Sequence, residues 1–188
     1  MKHRGLIWLA YFLLVNGIVV YLWLTQGREH RHDAAILAAA RRYGVEPALV
    51  KAVVWRESKF NPQARGKVGE LGLMQIRDTA AKEWAEAEHL KLFWHSQLLD
   101  PEKNTLAGTW YLSKLLRRYP HTDNPAVFAL ADYNAGRGNV LKWAKGPGAT
   151  NSTVFLAQME FPGTRHYVET VLEKRAHYLP NFPGKTTR

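Results

Sequence analysis

Residues 6–25 form one apolar run, LIWLAYFLLVNGIVVYLWLT, which contains no charged side chain and is only mildly interrupted by Asn16 and Gly17. About 20 apolar residues in a helix are enough to span the hydrocarbon core of a bilayer. Aromatic residues such as Trp8 and Trp23 lie toward the two ends of the run, where interfacial aromatics are common. The run therefore predicts an N-terminal membrane anchor over residues 1–27.

Two other interpretations of this segment stay open. The basic residues Lys2 and Arg4 before the run would suit a cleaved signal peptide, but the run is longer than usual and no A-x-A cleavage site follows it. A buried core helix is the second alternative. The basic residues on the two sides of the run do not settle its orientation.

The rest of the chain divides into a short polar linker (28–32), a folded domain (33–180) and a tail (181–188). Capping residues, prolines and glycines predict a series of helices separated by loops at 61–76 and 144–152. The predicted helices begin at Asp33, Pro47, Asp78, Asn104, Pro125 and about Thr164. Because their connections are short and no convincing strand is found outside the 61–76 loop, the predicted fold class is all-α.

Charge and composition exclude several function classes. The chain has no cysteine, which rules out disulfides, thiolate zinc sites and a cysteine nucleophile. The formal net charge of +10 favours a polyanionic partner such as nucleic acid, anionic lipid or the bacterial wall. The basic residues are dispersed and no nucleic-acid motif appears, so no nucleic-acid partner is expected. The histidines follow no metal-site spacing, and no metal is expected.

The helix that begins at Pro47 carries a candidate acid at its end. Its apolar stripe includes Val53 and Val54, and Glu57 is the next position on the same face. A carboxyl group on an apolar face is partly desolvated, which raises its pKa and favours the protonated form. From this pattern alone, an exposed glutamate at a frayed helix end is the favoured interpretation.

Residues 57–76, ESKFNPQARGKVGELGLMQI, add a motif to this acid. The segment resembles the soluble lytic transglycosylase family, whose fold is lysozyme-like. The matching residues are Glu57, Ser58, Phe60, Asn61, Pro62, Gly72, Leu73, Met74 and Gln75. Three further segments (100–112, 129–136 and 161–168) resemble the family's later motifs in the same order, so the likeness spans roughly residues 33–178.

Three positions depart from the family pattern. Gly66 stands where the family often has a serine whose hydroxyl can contact the catalytic carboxylate. Asp132 stands where alanine is usual, and Gly163 where glutamate often precedes Thr-Arg. These departures concern the fine geometry and the substrate contacts, and they leave the acid in place.

The resemblance implies a lysozyme-like helical domain, and the apolar run predicts a single transmembrane helix before it. It implies cleavage of peptidoglycan glycan strands with Glu57 as the single general acid and then base, without a cofactor. The catalytic domain would then lie on the periplasmic side of a bacterial inner membrane. A role within an envelope-spanning assembly fits equally well, and exo- or endo-cleavage stays undecided.

The resemblance also assigns substrate contacts to residues around this acid. Gln75 and Asn134 are expected to bind acetamido groups, and Met74 to line the sugar cleft. The Tyr133 hydroxyl is expected to orient Glu57 or an acetamido group. The last such residue, Tyr167, is expected either to stabilise the cleft floor or to touch sugar.

Two other functions stay open on the same fold. Glu70 is a possible auxiliary carboxylate, which could activate water and make the chain a muramidase. A non-catalytic glycan-binding or scaffold module is the other alternative, although such a module does not need a protonated acid at Glu57.

Overall fold

A computed structural model describes the backbone of residues 2–182 and the side chains of residues 7–9, 11–19 and 27–182. The helices are α1 (Lys2–His30), α2 (Asp33–Tyr43), α3 (Pro47–Ser58), α4 (Asp78–Ala87), α5 (Pro101–Leu116), α6 (Pro125–Ala135), α7 (Arg137–Trp143), α8 (Ser152–Gln158) and α9 (Pro162–Tyr178). Two short 3-10 turns lie at His95–Leu99 and Gly146–Ala149. The described residues contain no β-strand, only isolated bridges within the 61–76 loop, and the all-α prediction is confirmed.

Several helix boundaries differ from those predicted. Helix α5 begins at Pro101 rather than at Asn104, because the Asp100 side chain caps it by accepting a hydrogen bond from the Lys103 main-chain N–H at 2.9 Å. The region predicted as a loop at 144–152 contains a 3-10 turn, and helices α7 and α8 on either side of it were not predicted. These pieces are too short to show a helical period in the sequence.

Helix α1 runs without a break through the apolar segment and through most of the predicted linker. In the part of the chain whose placement is described, no helix combines the length and the apolar content that crossing a membrane requires. Many side chains of the segment lie outside the described residues, and so do residues 183–188 of the predicted tail. The anchor over residues 1–27 stays a prediction.

Helix α3 lies at the centre of the domain. Residues 47–54 are all buried, and the helix packs between α2 and α9. Because most of its surface is covered, α3 is a core helix rather than an amphipathic surface helix. Its last turn emerges from this core, and that turn carries Glu57.

A single buried amide fixes the loop that follows α3. The Asn104 side chain on α5 accepts a hydrogen bond from the Met74 main-chain N–H at 2.7 Å. It donates to the carbonyl oxygens of Leu71 and Leu98, each at 2.8 Å. Gly72 has a φ of +75°, and a Cβ there would lie 2.2 Å from the Asn104 amide nitrogen. Only glycine therefore satisfies both the backbone conformation and the close approach.

Candidate active site

The last turn of α3 opens into a cleft of about 460 Å³. The cleft is bounded by the end of α3, the loop after it, the start of α4 and the end of α6. Its lining residues are Glu57, Glu70, Gln75, Ile76, Arg77, Thr79, Ala80, Tyr111, Asp132, Tyr133, Asn134, Ala135 and Gly136. Five of the seven predicted site residues line this one cavity. They are Glu57, Glu70, Gln75, Tyr133 and Asn134.

Glu57 is the acid of this cleft. Its carboxylate oxygen Oε1 accepts a hydrogen bond from the Tyr167 hydroxyl at 2.6 Å. Burial, with a smaller contribution from the nearby charge of Glu70, raises the pKa of the Glu57 carboxyl to a net value of about 7. The Tyr167 hydrogen bond and the Arg56 charge lower the pKa and oppose this effect. The result is a group that exchanges a proton near neutral pH.

The hydroxyl that contacts the Glu57 carboxyl is that of Tyr167 and not that of Tyr133. Tyr167 lies on α9, which packs antiparallel along α3, so its hydroxyl reaches the end of α3 from the core side. The Tyr133 hydroxyl instead donates to the Met74 carbonyl oxygen at 2.7 Å. Tyr133 thus braces the loop while its ring lines the cleft. Burial raises the pKa of both hydroxyl groups well above the ordinary value, so both stay protonated donors.

Met74 lies beneath the cleft rather than in its wall. Its side chain is fully buried and packs against Gly108 of α5. Its main chain is tied on both sides, because its N–H donates to Asn104 and its carbonyl accepts from Tyr133. The expectation of a sugar contact by the Met74 side chain is therefore not met by its position, and the residue acts as a support for the loop.

Gln75 and Asn134 both present part of their amide to the cleft. The Gln75 amide nitrogen donates to the carbonyls of Ala64 (3.2 Å) and Gly72 (2.9 Å). The Gln75 amide oxygen is therefore the atom that remains available to accept a hydrogen bond from a ligand. Asn134 is exposed, and its Oδ1 accepts from the Thr164 hydroxyl at 2.9 Å. Since Asn134 lines the cleft and its oxygen is engaged, its amide nitrogen is the group available to donate to a carbonyl or hydroxyl oxygen.

Glu70 is held by its own loop. Its Oε2 accepts from the Val68 main-chain N–H at 3.2 Å, and its Oε1 accepts from the Arg77 Nε at 3.1 Å. Partial burial acts to raise the pKa of Glu70, but the main-chain hydrogen bonds and the Arg77 charge outweigh it and hold this pKa below the ordinary value. Glu70 is thus an ionised carboxylate with both oxygens engaged.

Sequence reasoning missed two residues that build this site. Asn104 lies in a segment that resembles a family motif, but its role as the internal tie of the loop depends on contacts across thirty residues or more. Arg77 carries no sequence signal beyond its position two residues after Gln75. Its place in the cleft becomes visible only when the loop is folded.

Known proteins resemble the chain in both sequence and structure. Residues 34–156 match the Transglycosylase SLT domain family. The soluble lytic murein transglycosylase of Escherichia coli K12 is 35% identical over 145 residues, which cover 76% of this chain and 22% of that protein. The membrane-bound lytic murein transglycosylase C of Pectobacterium atrosepticum is 37% identical over 123 residues, covering 61% of this chain and 34% of that protein.

Two solved structures share the fold. The inactive mutant of lytic transglycosylase Slt from Pseudomonas aeruginosa superposes with a TM-score of 0.73 at 31% identity, over 82% of this chain and 25% of that one. The 70-kDa soluble lytic transglycosylase in complex with bulgecin A superposes with a TM-score of 0.72 at 30% identity, over 86% and 26%. The chain thus spans about a quarter of these larger proteins, and it belongs to the transglycosylase SLT domain family.

Proposed function

We propose that this chain is a peptidoglycan lytic transglycosylase that cleaves the β-1,4 bond between N-acetylmuramic acid and N-acetylglucosamine. The observation that carries the proposal is the Glu57 carboxyl, which has a pKa of about 7 and lines a cleft of about 460 Å³. A group with this pKa is protonated often enough at neutral pH to act as a general acid. The names of the similar proteins support the same chemistry.

In the first step, protonated Glu57 donates its proton to the glycosidic oxygen while the bond to the muramic C1 breaks. An oxocarbenium-like centre develops at C1, and the muramic N-acetyl group can assist it. Asn134 and the Gln75 oxygen lie on the cleft wall, where they can hydrogen-bond acetamido groups. Their role is to hold the sugar so that the oxygen meets Glu57.

In the second step, the Glu57 carboxylate takes the proton from the C6 hydroxyl of the same sugar. The C6 oxygen attacks C1 and closes a 1,6-anhydro ring, so no water is consumed. The Tyr167 hydrogen bond stabilises the carboxylate form that this step requires. One carboxyl can serve both steps because its pKa lies near the working pH.

Hydrolysis by a second carboxylate is the less supported route. An inverting hydrolase needs a free carboxylate that activates water on the opposite side of the sugar. Glu70 is the nearest candidate, but its two oxygens accept from Val68 and from Arg77. This engagement favours the transglycosylase over the muramidase.

The test is product analysis with the full chain in detergent. Purified peptidoglycan is incubated with the wild-type protein and with Glu57→Gln, and the products are analysed by mass spectrometry. Muramic ends lighter by one water than hydrolytic ends, absent with the variant, are the expected result. Reducing muramic ends would identify a muramidase. Absence of any product from a folded wild-type chain would favour a glycan-binding module.

The proposed location is the bacterial inner membrane, with residues 1–27 as a single-pass anchor and the cleft on the periplasmic side. The apolar run and the basic charge support it, since a basic surface holds the domain near an anionic wall. Alkaline carbonate extraction of membranes tests the anchor, which should stay in the pellet. The intact mass of the recovered protein distinguishes a retained anchor from a cleaved signal peptide.

A further inference from the structure

The cleft contains an ion pair that the proposed acid chemistry does not use. Glu70 and Arg77 face each other on the wall formed by the loop and the start of α4, with Oε1 lying 3.1 Å from both Nε and Nη2 of the guanidinium. The two partners differ in exposure, since the Glu70 side chain is 16% exposed and the Arg77 side chain 63%. The carboxylate is therefore the largely covered partner that supports the pair, and the guanidinium is the exposed partner.

Gly66 makes room for this support. A Cβ built on Gly66 would lie 2.1 Å from Oε2 of Glu70 and 2.9 Å from its carboxyl carbon. The Glu70 carboxylate thus occupies the space that a side chain at position 66 would fill. The Val68 main-chain N–H donates to the same Oε2, so the carboxylate is fixed from two directions.

The fixed carboxylate leaves much of Arg77 available. A guanidinium has five N–H donors, and the contact with Glu70 engages one edge of the group. Among the side chains that the structure describes, Glu70 is the only carboxylate at ion-pairing distance from Arg77. The other donors point away from Glu70, and Arg77 is a lining residue of the cleft. A planar guanidinium with free donors suits a carboxylate ligand.

We propose that Arg77 binds a carboxylate of the glycan substrate, and that Glu70, seated in the space left by Gly66, positions the guanidinium for this contact. The inference rests on the proposed function for its substrate, because muramic acid carries a lactyl carboxyl group and its peptides carry further ones. Arg77 thereby selects acidic glycan over neutral glycan, whereas Glu57 carries the chemistry.

Binding to the full-length Glu57→Gln protein, measured by titration calorimetry in detergent, tests the inference without turnover. Three probes are used: peptide-free glycan strands with free lactyl carboxylates, the same strands converted to neutral methylamides, and peptide-bearing strands. A charge-assisted hydrogen bond predicts about tenfold tighter binding of an acidic probe than of the methylamide. Tighter binding of peptide-free strands assigns the lactyl carboxylate, and tighter binding of peptide-bearing strands alone assigns a peptide carboxylate.

The variants separate recognition from support, each in the Glu57→Gln background. Arg77→Gln should abolish the preference by weakening only the acidic probe. Arg77→Lys should restore part of it, since the charge returns without the planar fork. Glu70→Gln and Gly66→Ala keep Arg77 but disturb its support, and they should reduce the preference. The matched control is Lys82→Gln in helix α4, which directly follows Arg77. Lys82 pairs with the exposed Asp78, and the variant should keep the preference.

Equal affinity of the parent protein for acidic and methylamide strands would overturn the inference. It would also be overturned if Arg77→Gln weakened both probes equally, which is the result of a merely structural role. Failure of the proposed function has a different signature. A wild-type chain that cleaves nothing, while the Arg77-dependent preference persists, refutes the transglycosylase and leaves the carboxylate site intact.

Discussion

At the scale of single residues, the pair Glu57 and Tyr167 sets the pH behaviour. The first proton transfer needs the protonated acid, so activity should fall as the pH rises through about 7. Because the Tyr167 hydroxyl stabilises the carboxylate, it lowers the pKa of Glu57 from the value that burial alone would set. The hydroxyl therefore balances the two halves of the reaction.

Tyr167→Phe removes this hydrogen bond and should move the alkaline limb of the pH–rate profile of kcat/KM to higher pH. The second step should slow because its carboxylate loses a donor, and kcat at neutral pH should fall by roughly tenfold. Tyr43→Phe is the control, since the Tyr43 hydroxyl donates to Glu88 at a distance from the cleft. An alkaline limb that stays at the wild-type pH in Tyr167→Phe would refute the assigned role of the hydroxyl.

The Glu57 carboxyl also costs stability in a pH-dependent way. Its pKa in the folded chain, about 7, exceeds the ordinary 4.5, so folding binds a proton. The free energy of unfolding therefore falls as the pH rises from about 4.5 to 7, and the full penalty is present above that window. Glu57→Gln should stabilise the chain by roughly 3 kcal/mol at pH 8 and by little at pH 4. Urea denaturation at the two values measures this, and an equal effect at both would contradict it.

At the scale of elements, the close packing of the 61–76 loop against α5 fixes the position of the loop beside the cleft. Gly108 lies in the middle of α5, and a Cβ there would lie 2.4 Å from the Met74 Sδ and 2.8 Å from its Cβ. Met74 in turn holds Tyr133 through its carbonyl oxygen. The missing side chain at Gly108 thus lets the loop sit close enough for Tyr133 to brace it.

Gly108→Ala should destabilise the chain by about 1–3 kcal/mol, because Met74 is fully packed and must shift. Gly138 is the matched control, since it lies in helix α7 with open space around its Cβ position. Gly138→Ala should be neutral or stabilising by up to about 1 kcal/mol, the helix-propensity difference between the two residues. Thermal denaturation of both variants measures the contrast, and equal effects would contradict the packing argument.

At the scale of the whole molecule, Lys51 joins distant parts of the chain. Its ammonium group contacts Oδ1 of Asp33 at 2.7 Å and lies over the rings of Tyr178 (5.2 Å) and Phe182 (4.4 Å). The Lys51 side chain is only 2% exposed, so the contacts with these partners must offset the cost of burying its ammonium group. The lysine thereby fastens the start of α2 and the end of α9 to the central helix that carries Glu57.

Asp33→Ala should destabilise the chain by about 3 kcal/mol, since it leaves a buried ammonium without its carboxylate. Lys51→Met should cost less, because the methionine refills the aromatic pocket without a charge. In the double variant the loss should approach that of Lys51→Met alone, which urea denaturation can measure. A loss equal to the sum of the single variants would mean that the two groups are not coupled.

The sequence by itself predicted the all-α class, most of the helices other than α7 and α8, the position of Glu57 at the end of α3, and the family. These features depend on local signals: capping residues, the apolar spacing that ends in Glu57, and motifs such as Gly72 to Gln75 whose order is preserved. The central burial of α3 was not predicted from the sequence, because only its contacts with α2 and α9 show that the helix is covered on nearly all sides.

Only the tertiary structure decided which side chains meet. Tyr167 reaches Glu57 across 110 residues of chain, and Met74 turns into the core because Gly108 leaves a space there. The Glu70 carboxylate fills the place beside Gly66 and holds Arg77 in the cleft wall. Hydrogen bonds and packing between residues far apart in the chain leave no periodic pattern in the sequence. The contact that Glu57 makes with Tyr167, the burial of Met74 and the placement of Arg77 in the cleft wall therefore became known only from the folded chain.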